Sequence, residues 1–530
     1  MTGAAPAATS ERVSAPPKAA LVVEQYDVAA VNAQARRKLY KAREPIYPKL
    51  VHGTYRRLKW TILIATLGIY YLLPWIRWSR GAGEPDQAIL IDFPGRRFYF
   101  FFIEIWPDEL YYVTGLLVLA ALSLFLATAL FGRVWCGYAC PQTVWTDLFI
   151  AVERLIEGDR NARIKLAKQP WTLDKIGKKS AKHALWMLIG AATGGAWIFY
   201  FHDAPTIFPQ LFTGEAPFTA YFFLCLLTLA TYVFAGSMRE QVCTYMCPWP
   251  RIQAAMLDED SLVVTYNDWR GEPRSRGSKK AAAQGLEVGD CVDCNACVAV
   301  CPTGIDIRDG QQLECITCAL CIDACNGIMD KIGKPRDLIS YSTLRDYNHN
   351  MAIAAGGTPG IIHPSRVHAA DGSLVAGLRH FNWHIFVRPR TLIYMAAWCA
   401  IGLGMLYFLL TRDRLQVNVL HDRNPVAITL SDGSIRNGYT VKLLNMMPEP
   451  RTITFSVDGL PGATLSIVDM PEAVGRSVDI PVEPDKLRSL HVFVSQLPQF
   501  VQKGQTKFRL QASDRQSFEK DVYDATFDVP

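Results

Sequence analysis

Twelve of the 14 cysteines in this 530-residue chain fall into four short runs. Two of them are Cys291-Val-Asp-Cys294-Asn-Ala-Cys297-Val-Ala-Val-Cys301-Pro302 and Cys315-Ile-Thr-Cys318-Ala-Leu-Cys321-Ile-Asp-Ala-Cys325, each a CxxCxxCxxxC. Three thiolates at this spacing wrap one iron–sulfur cubane, and the fourth, a helical turn later, reaches toward a second cubane. The expected ligand sets are therefore crossed. Cys291, Cys294, Cys297 and Cys325 serve the first [4Fe–4S] cluster; Cys315, Cys318, Cys321 and Cys301 serve the second. Each such centre cycles by one electron, so a close pair is a short conductor. Two zinc sites are the competing reading, because CxxC knuckles also supply four soft ligands. Tandem copies with Pro302 behind the first match the two-cluster pattern better. Asn326 stands where that pattern more often has proline, a departure that bears on the local turn and not on ligation.

The other two runs are Cys136-Gly-Tyr-Ala-Cys140-Pro141 and Cys243-Thr-Tyr-Met-Cys247-Pro248. At i and i+4 on a helix, both sulfurs of a pair share one face. Two such pairs brought together make a four-thiol site for metal or redox chemistry. Thiolates favour Cu(I) and also suit zinc or a further iron–sulfur centre. The plain alternative is packing, since free cysteine is often buried. Met238 and Met246 read as core, with thioether ligation as the alternative. Cys225 and Cys399 lie within apolar runs and read as packing. His183, His202 and His384 do not fall at one depth, which argues against a haem. His349, His363, His368 and His380 read as solvated, and Asp203 and Glu104 as interfacial. No GxGxxG opens a strand–helix unit, so no dinucleotide fold is expected.

These runs need elements to hold them. Half of the residues are hydrophobic and a fifth are charged, too apolar for an ordinary soluble protein and too polar for a bare membrane bundle. Five stretches reach the ~20 residues that cross a bilayer: about 58–76, 110–131, 183–201, 218–235 and 391–410. Aromatic residues such as Trp60, Trp75, Trp78, Tyr111, Tyr112, Trp197 and Tyr200 sit near their ends. The expected architecture is multi-domain: a helical membrane region over 46–237, an insert over 238–389, a fifth span over 390–411 and a C-terminal domain over 412–530.

The segment 133–182 is rich in Lys and Arg, whereas 203–216 has none. The positive-inside rule then places the N-terminus and the insert in the cytoplasm and the C-terminal domain in the periplasm. The loop carrying Arg77, Arg80, Arg96 and Arg97 fits this poorly; Phe93 to Phe102 lying on the membrane surface is one way to reconcile it. Residues 1–45, rich in Ala, Pro and Ser with a basic end, read as a disordered tail, and no signal peptide is discerned. Residues 412–530 alternate apolar and polar positions, as in Thr452-Ile-Thr-Phe-Ser-Val457, with Gly and Pro between the runs. That is the pattern of a small β-sandwich. The net charge of +6 reads as membrane orientation and not as nucleic-acid binding.

With its two CxxxCP motifs, tandem ferredoxin-like insert, fifth helix and C-terminal β-domain, the chain resembles the FixG/CcoG (RdxA) family. The segments Asn418-Val-Leu-His-Asp-Arg-Asn-Pro425 and Ser431-Asp-Gly-Ser-Ile-Arg-Asn-Gly-Tyr439 resemble the start of that family's immunoglobulin-like accessory domain. The resemblance covers nearly everything after residue 45. It implies an inner-membrane protein that serves assembly of cbb3-type cytochrome c oxidase. The implied activity is reduction of Cu(II) to Cu(I), with oxidase-assembly and copper-delivery proteins as partners. In that reading Cys136, Cys140, Cys243 and Cys247 are the copper or redox site, the electron donor is unidentified, and a homodimer is conceivable. Two rivals stand beside it: a quinol dehydrogenase feeding a periplasmic reductase, and a non-enzymatic copper chaperone or scaffold.

Overall fold

The computed structural model describes residues 24–31, 44–80, 84–277, 284–285, 287–356, 363–369, 371, 373–379, 383–447 and 449–529. His380 and most of the expected N-terminal tail lie outside them. The chain forms two compact units: Met1–Trp78 with Gln87–Ile401, and Ser79–Asp86 with Gly402–Pro530.

The helices of the first unit are α1 (Thr54–Leu72), α2 (Tyr111–Phe131), α3 (Val134–Tyr138), α4 (Pro141–Glu157), α5 (Arg160–Lys168), α6 (Leu173–Ile198), α7 (Ala204–Thr213), α8 (Phe218–Thr231) and α9 (Trp249–Met256). They continue as α10 (Asp268–Gly271), α11 (Ala296–Val300), α12 (Leu320–Ile332), α13 (Leu344–Ala355) and α14 (Pro389–Thr411), the last of which runs on into the second unit. Among the described residues, four stretches are long and apolar enough to cross a membrane: Thr54–Trp75, Pro107–Phe131, Phe218–Met238 and Pro389–Thr411. They show their apolar side chains outward, with Ile64, Leu117, Phe222 and Leu403 among the exposed ones. This is the inverse of a soluble fold and the arrangement that lipid requires.

The expected third span coincides with the second half of α6, which begins ten residues earlier and is less apolar because small residues occupy its inner face. A Cβ on Gly190 would stand 3.0 Å from the Thr228 carbonyl oxygen, and one on Gly194 would stand 2.8 Å from that of Leu224. The Gly190-x-x-x-Gly194 spacing thus lets α6 and α8 pack backbone to backbone.

The arginine-bearing loop after α1 is a small antiparallel sheet, β1 (Ile89–Asp92), β2 (Arg97–Phe100) and β3 (Ile103–Ile105). Two of its cations are paired: Arg77 with Asp203 at 2.5 Å, and Arg97 stacked on Trp106 at 4.2 Å. A second short sheet, β4 (Val263–Tyr266) with β5 (Ile339–Ser342), closes the cluster domain at both ends.

The second unit is a β-sandwich. Its strands are β6 (Leu415–His421), β7 (Ile428–Thr429), β8 (Ile435–Asn445), β9 (Arg451–Asp458), β10 (Ala463–Ile467), β11 (Met470–Gly475), β12 (Ser477–Val482), β13 (Leu487–Gln496), β14 (Gly504–Asp514) and β15 (Lys520–Val529). One sheet runs β11-β10-β13-β8-β6 with β7 on β8; the other runs β12-β9-β14-β15. Alternation does the folding. Every second residue of β9, Ile453, Phe455 and Val457, is buried and meets Val441, Leu443, Val492 and Val494 of the facing sheet. Each such side chain contributes roughly 1.5–3 kcal/mol by leaving water.

One expectation fails at the N-terminus. Within the supposed disordered tail, residues 24–31 are built into the cluster domain. The Tyr26 N–H donates to the Cys294 carbonyl at 3.0 Å, and the Val31 N–H donates to that of Gly304 at 2.8 Å. Tyr26, Val28 and Ala30 pack on the same core as the cysteines. Composition concealed this, because three small apolar contacts suffice where backbone hydrogen bonds hold the strand.

Candidate metal centre

The two CxxCxxCxxxC runs fold into matching loops. Asp293 and Asn295 in the first, and Thr317 and Ala319 in the second, take left-handed backbone conformations at equivalent positions, with φ of 49, 59, 56 and 60°. Non-glycine residues resist that region by about 1–2 kcal/mol each, so the surroundings must hold them there. α11 and α12 follow directly and pack on each other.

The folding crosses the ligands. Cys325 lies within electrostatic reach of Cys291, Cys294 and Cys297. Cys301 does so with Cys315, Cys318 and Cys321. Burial pushes the Cys315 and Cys325 thiols up to about 12, so a bound cluster must displace protons to take the thiolates. Among the described residues, no three His, Cys, Asp or Glu side chains close on a single ion. Zinc, with bonds of about 2.3 Å, needs its sulfurs nearly in contact, whereas a cubane takes one thiolate at each corner. The donor sets fit [4Fe–4S] clusters.

Residues that sequence reasoning passed over shape these loops. Arg308 donates to Asp293 at 2.8 Å, to Asp306 at 2.6 Å and to Asn295 at 2.7 Å, pinning the first loop. Arg270 and Lys334 hold Asp290, beside Cys291, at 2.8 and 2.9 Å. Asn326, in place of proline, lets α12 run 13 residues where α11 stops after five at Cys301-Pro302. It also exchanges two hydrogen bonds with Asp337. Asp323, between Cys321 and Cys325, accepts the Arg56 N–H at 2.7 Å and the Tyr55 N–H at 3.3 Å. A cluster-loop carboxylate thus serves the open N-terminus of the first apolar helix, where a negative group is favoured.

The CxxxCP cysteines do not share a helix face as expected. Cys136 lies in α3, but Cys140 has left the helix with ψ 129° and is the N-cap of α4. Cys247 does the same with ψ 124° at the end of a π-turn, Val242–Met246, ahead of α9. The reason is the following proline, whose ring disfavours the helical region for the preceding residue. Each pair therefore straddles a corner between two helices. All four thiols still come within electrostatic reach of one another, and burial pushes Cys136 up to about 11 and Cys243 up to about 12. The Cys136 thiol donates to Gln253 at 3.1 Å, and Gln253 donates to Thr128 at 3.2 Å.

This corner abuts the second cluster loop. A Cβ on Gly137 would stand 2.7 Å from the Ile316 carbonyl oxygen and 3.0 Å from the Cys318 Cα. The Tyr138 hydroxyl donates to the Cys318 carbonyl at 3.2 Å. Cys136 packs in one apolar cluster with Ile316, Cys318, Leu320 and Val300. A buried ion network further along α4 ties that helix to Arg239, just ahead of the second CxxxCP motif. Glu153 of α4 pairs with Arg163 and Arg239 at 2.7 Å each and with Lys182 at 3.5 Å.

Three family models match the chain. One described as a 4Fe-4S dicluster domain covers residues 238–344, one described as a 4Fe-4S binding domain covers 113–157, and one described as an IG-like fold at the C-terminal of FixG covers 405–530. The nitrogen fixation protein FixG of Rhizobium meliloti is 61% identical over 515 residues, 97% of this chain and 98% of the relative. The chain belongs to the FixG/RdxA family. Two proteins of Cereibacter sphaeroides, RdxB and RdxA, are each 50% identical, over 92% and 82% of this chain and 97% and 88% of their own lengths. The dicluster match contains both cubane-binding runs and the second CxxxCP pair; the 113–157 match contains the first pair. This FixG/RdxA-family chain is therefore an iron–sulfur redox protein, associated with a membrane through its apolar helices.

Proposed function

We propose that the protein is a multi-pass inner-membrane cupric reductase that prepares Cu(I) for assembly of cbb3-type cytochrome c oxidase. The observation that carries this reading is the contact of the four-thiol corner with the loop of Ile316 to Cys318. Cys136, Cys140, Cys243 and Cys247 gather where an electron leaving the second cluster site has only a backbone to cross. The clusters, when bound, supply single electrons; the thiols offer a soft site that favours the Cu(I) product over the Cu(II) substrate. Each turnover adds one electron to one Cu(II). The basic segment 133–182 supports a cytoplasmic face for the cluster domain and a periplasmic C-terminal sandwich, from which oxidase-assembly and copper-delivery partners would be met. The name of FixG ties that relative to nitrogen fixation, a process with which an oxidase-assembly role is compatible.

A second reading has its own support. The 4Fe-4S binding model spans Cys136 and Cys140, which favours a third iron–sulfur centre on the same four thiols. The test of both is one preparation. Protein purified without oxygen, reduced and freed of reductant, is mixed with Cu(II) and a Cu(I)-specific chelator. Cu(I) should form as the clusters reoxidise, and replacing all four CxxxCP cysteines with serine should abolish it. No Cu(I), or an unchanged yield in the variant, overturns the copper reading. Iron of about twelve rather than about eight per chain, falling by about four in the same variant, establishes the third centre.

A further inference from the structure

A cavity of about 780 Å³ lies beside the second cluster loop, and none of the functions above uses it. Its two ends differ in chemistry. Leu58 and Ile62 of α1 and Phe131 at the end of α2 line one side, all on helices apolar enough for a membrane, and Leu58 is 46% exposed. The other end is polar and ordered. The Asn267 amide donates to the Asp337 carbonyl at 2.9 Å and to Ser340 at 3.0 Å and accepts from the Trp269 indole at 3.2 Å. Between the ends stand Tyr138 and Tyr341, whose hydroxyls donate to the Cys318 and Thr317 carbonyls at 3.2 and 2.9 Å. The cavity wall is thus one hydrogen bond from the loop that holds the second cluster. Arg270, at the polar end, is paired with Asp290 beside Cys291 of the first.

We infer that this cavity binds a membrane quinol, the electron donor of the protein. An amphiphile is required, because one end opens among apolar helix residues and the other is hydrogen-bonding. Of the three arginines that line it, Arg270 is engaged by Asp290 and the carbonyls of Pro335 and Arg336, Arg336 is paired with Asp330 at 2.7 Å, and Arg379 lies exposed at the rim, so the enclosed part favours a neutral head. A phosphate head would need such cations uncommitted, so a phospholipid fits less well. The stoichiometry also matches. A quinol becoming a quinone releases two electrons and two protons; the two cluster sites would take one electron each, and the protons pass to water at the exposed polar end. The inference deepens the proposed function, resting on its membrane and cluster parts but not on copper.

The test uses the full chain in detergent and an azidoquinone photolabel mapped by mass spectrometry. Label is expected on peptides containing Tyr138 or Tyr341, displaced by decylubiquinol and weakened at least tenfold in Ile62→Trp, which fills the apolar end. In parallel, decylubiquinol should bleach the iron–sulfur absorbance, at least tenfold more slowly in Ile62→Trp, while dithionite bleaches both proteins equally and so shows the variant folded and loaded. Label elsewhere, label displaced equally by phosphatidylglycerol, or variant rates equal to the parent's overturn the inference. Cu(I) formation after dithionite reduction is read separately, so loss of the quinol site and loss of the copper reading are told apart.

Discussion

Replacing Glu153 with glutamine tests whether a buried ion network holds α4 to Arg239, ahead of the second CxxxCP motif. The carboxylate lies between Arg163, Arg239 and Lys182, whose side chains are no more than 9% exposed. Glu157 shares Lys182 at 3.2 Å and also holds Lys179 at 2.9 Å, so two carboxylates already face four cations. Glutamine keeps the shape and removes one of the two negative charges. Breaking a buried pair and leaving cations uncompensated costs about 3–5 kcal/mol. At about 1.2 °C per kcal/mol for a unit of about 390 residues, from about 2.1 cal/mol/K of unfolding entropy per residue, the first unit should melt roughly 4–6 °C lower. The pH dependence has a definite sign. Burial alone would raise the Glu153 carboxyl, but Arg239, then Arg163 and Lys182, overcome it and hold the group below its ordinary range. Its contribution is therefore complete above the unfolded value of about 4.3 and is lost as pH falls through the lower folded value. The gap between parent and variant should be constant from pH 6 to 8 and close at acid pH, where the parent's own carboxyl protonates. Scanning fluorimetry reads this, and the sandwich, melting separately, is the internal standard. A shift under 2 °C at pH 7, or a gap that widens on acidification, would refute the reasoning.

Three further outcomes follow. Gly137→Ala forces a methyl onto immovable backbone at Ile316 and Cys318, so it should cost about 1–3 kcal/mol and release iron–sulfur absorbance at a lower temperature than the parent. Stripping iron with an oxidant and a chelator should expose residues 263–344 to protease while the 405–530 fragment stays resistant, because the first core is built around cysteines and the second contains none. Phe455→Ala, at a fully buried position, should lower sandwich stability by about 3–5 kcal/mol and leave the first transition unmoved in the same scan.

Much of the site is legible in the spacing of the cysteines, because ligand geometry is local: CxxCxxC makes a loop and the fourth cysteine a turn away can only face the neighbour. The sandwich is legible for a related reason, since period-two burial is written residue by residue in β9 and β12. What stays hidden depends on contacts between distant segments. Nothing near residue 26 announces a hydrogen bond to Cys294, and nothing near Gly137 announces the carbonyl of Ile316. The cavity is hidden for the same reason, since its walls come from α1, α2, residues 267–270 and the 335–342 segment that ends in β5.

The corner at the CxxxCP motifs marks the boundary between these two kinds of information, and the misreading there is instructive. Cysteine spacing alone, i and i+4, implies one shared helix face and leaves the proline out of account. Proline is the active element: by disfavouring the helical region at Cys140 and Cys247, it ends one helix and starts the next, so each motif builds a bend. A bend sets two thiols where two helices meet, and two bends from separate parts of the chain make a four-thiol group that a straight helix face could not. The same dipeptide at Cys301-Pro302 ends α11 and aims its cysteine at the second cluster site, whereas Cys325, followed by Asn326, stays inside a helix. Cys-Pro is thus used three times for one purpose, to turn a thiol away from its own helix toward a site shared with another. On the proposed reading that the four-thiol corner holds metal, Pro141→Ala, which frees Cys140 to continue the helix, should impair that retention while iron at the two cubane sites, counted in the same sample, is unchanged. Equal loss from both would show that the proline only stabilises the fold.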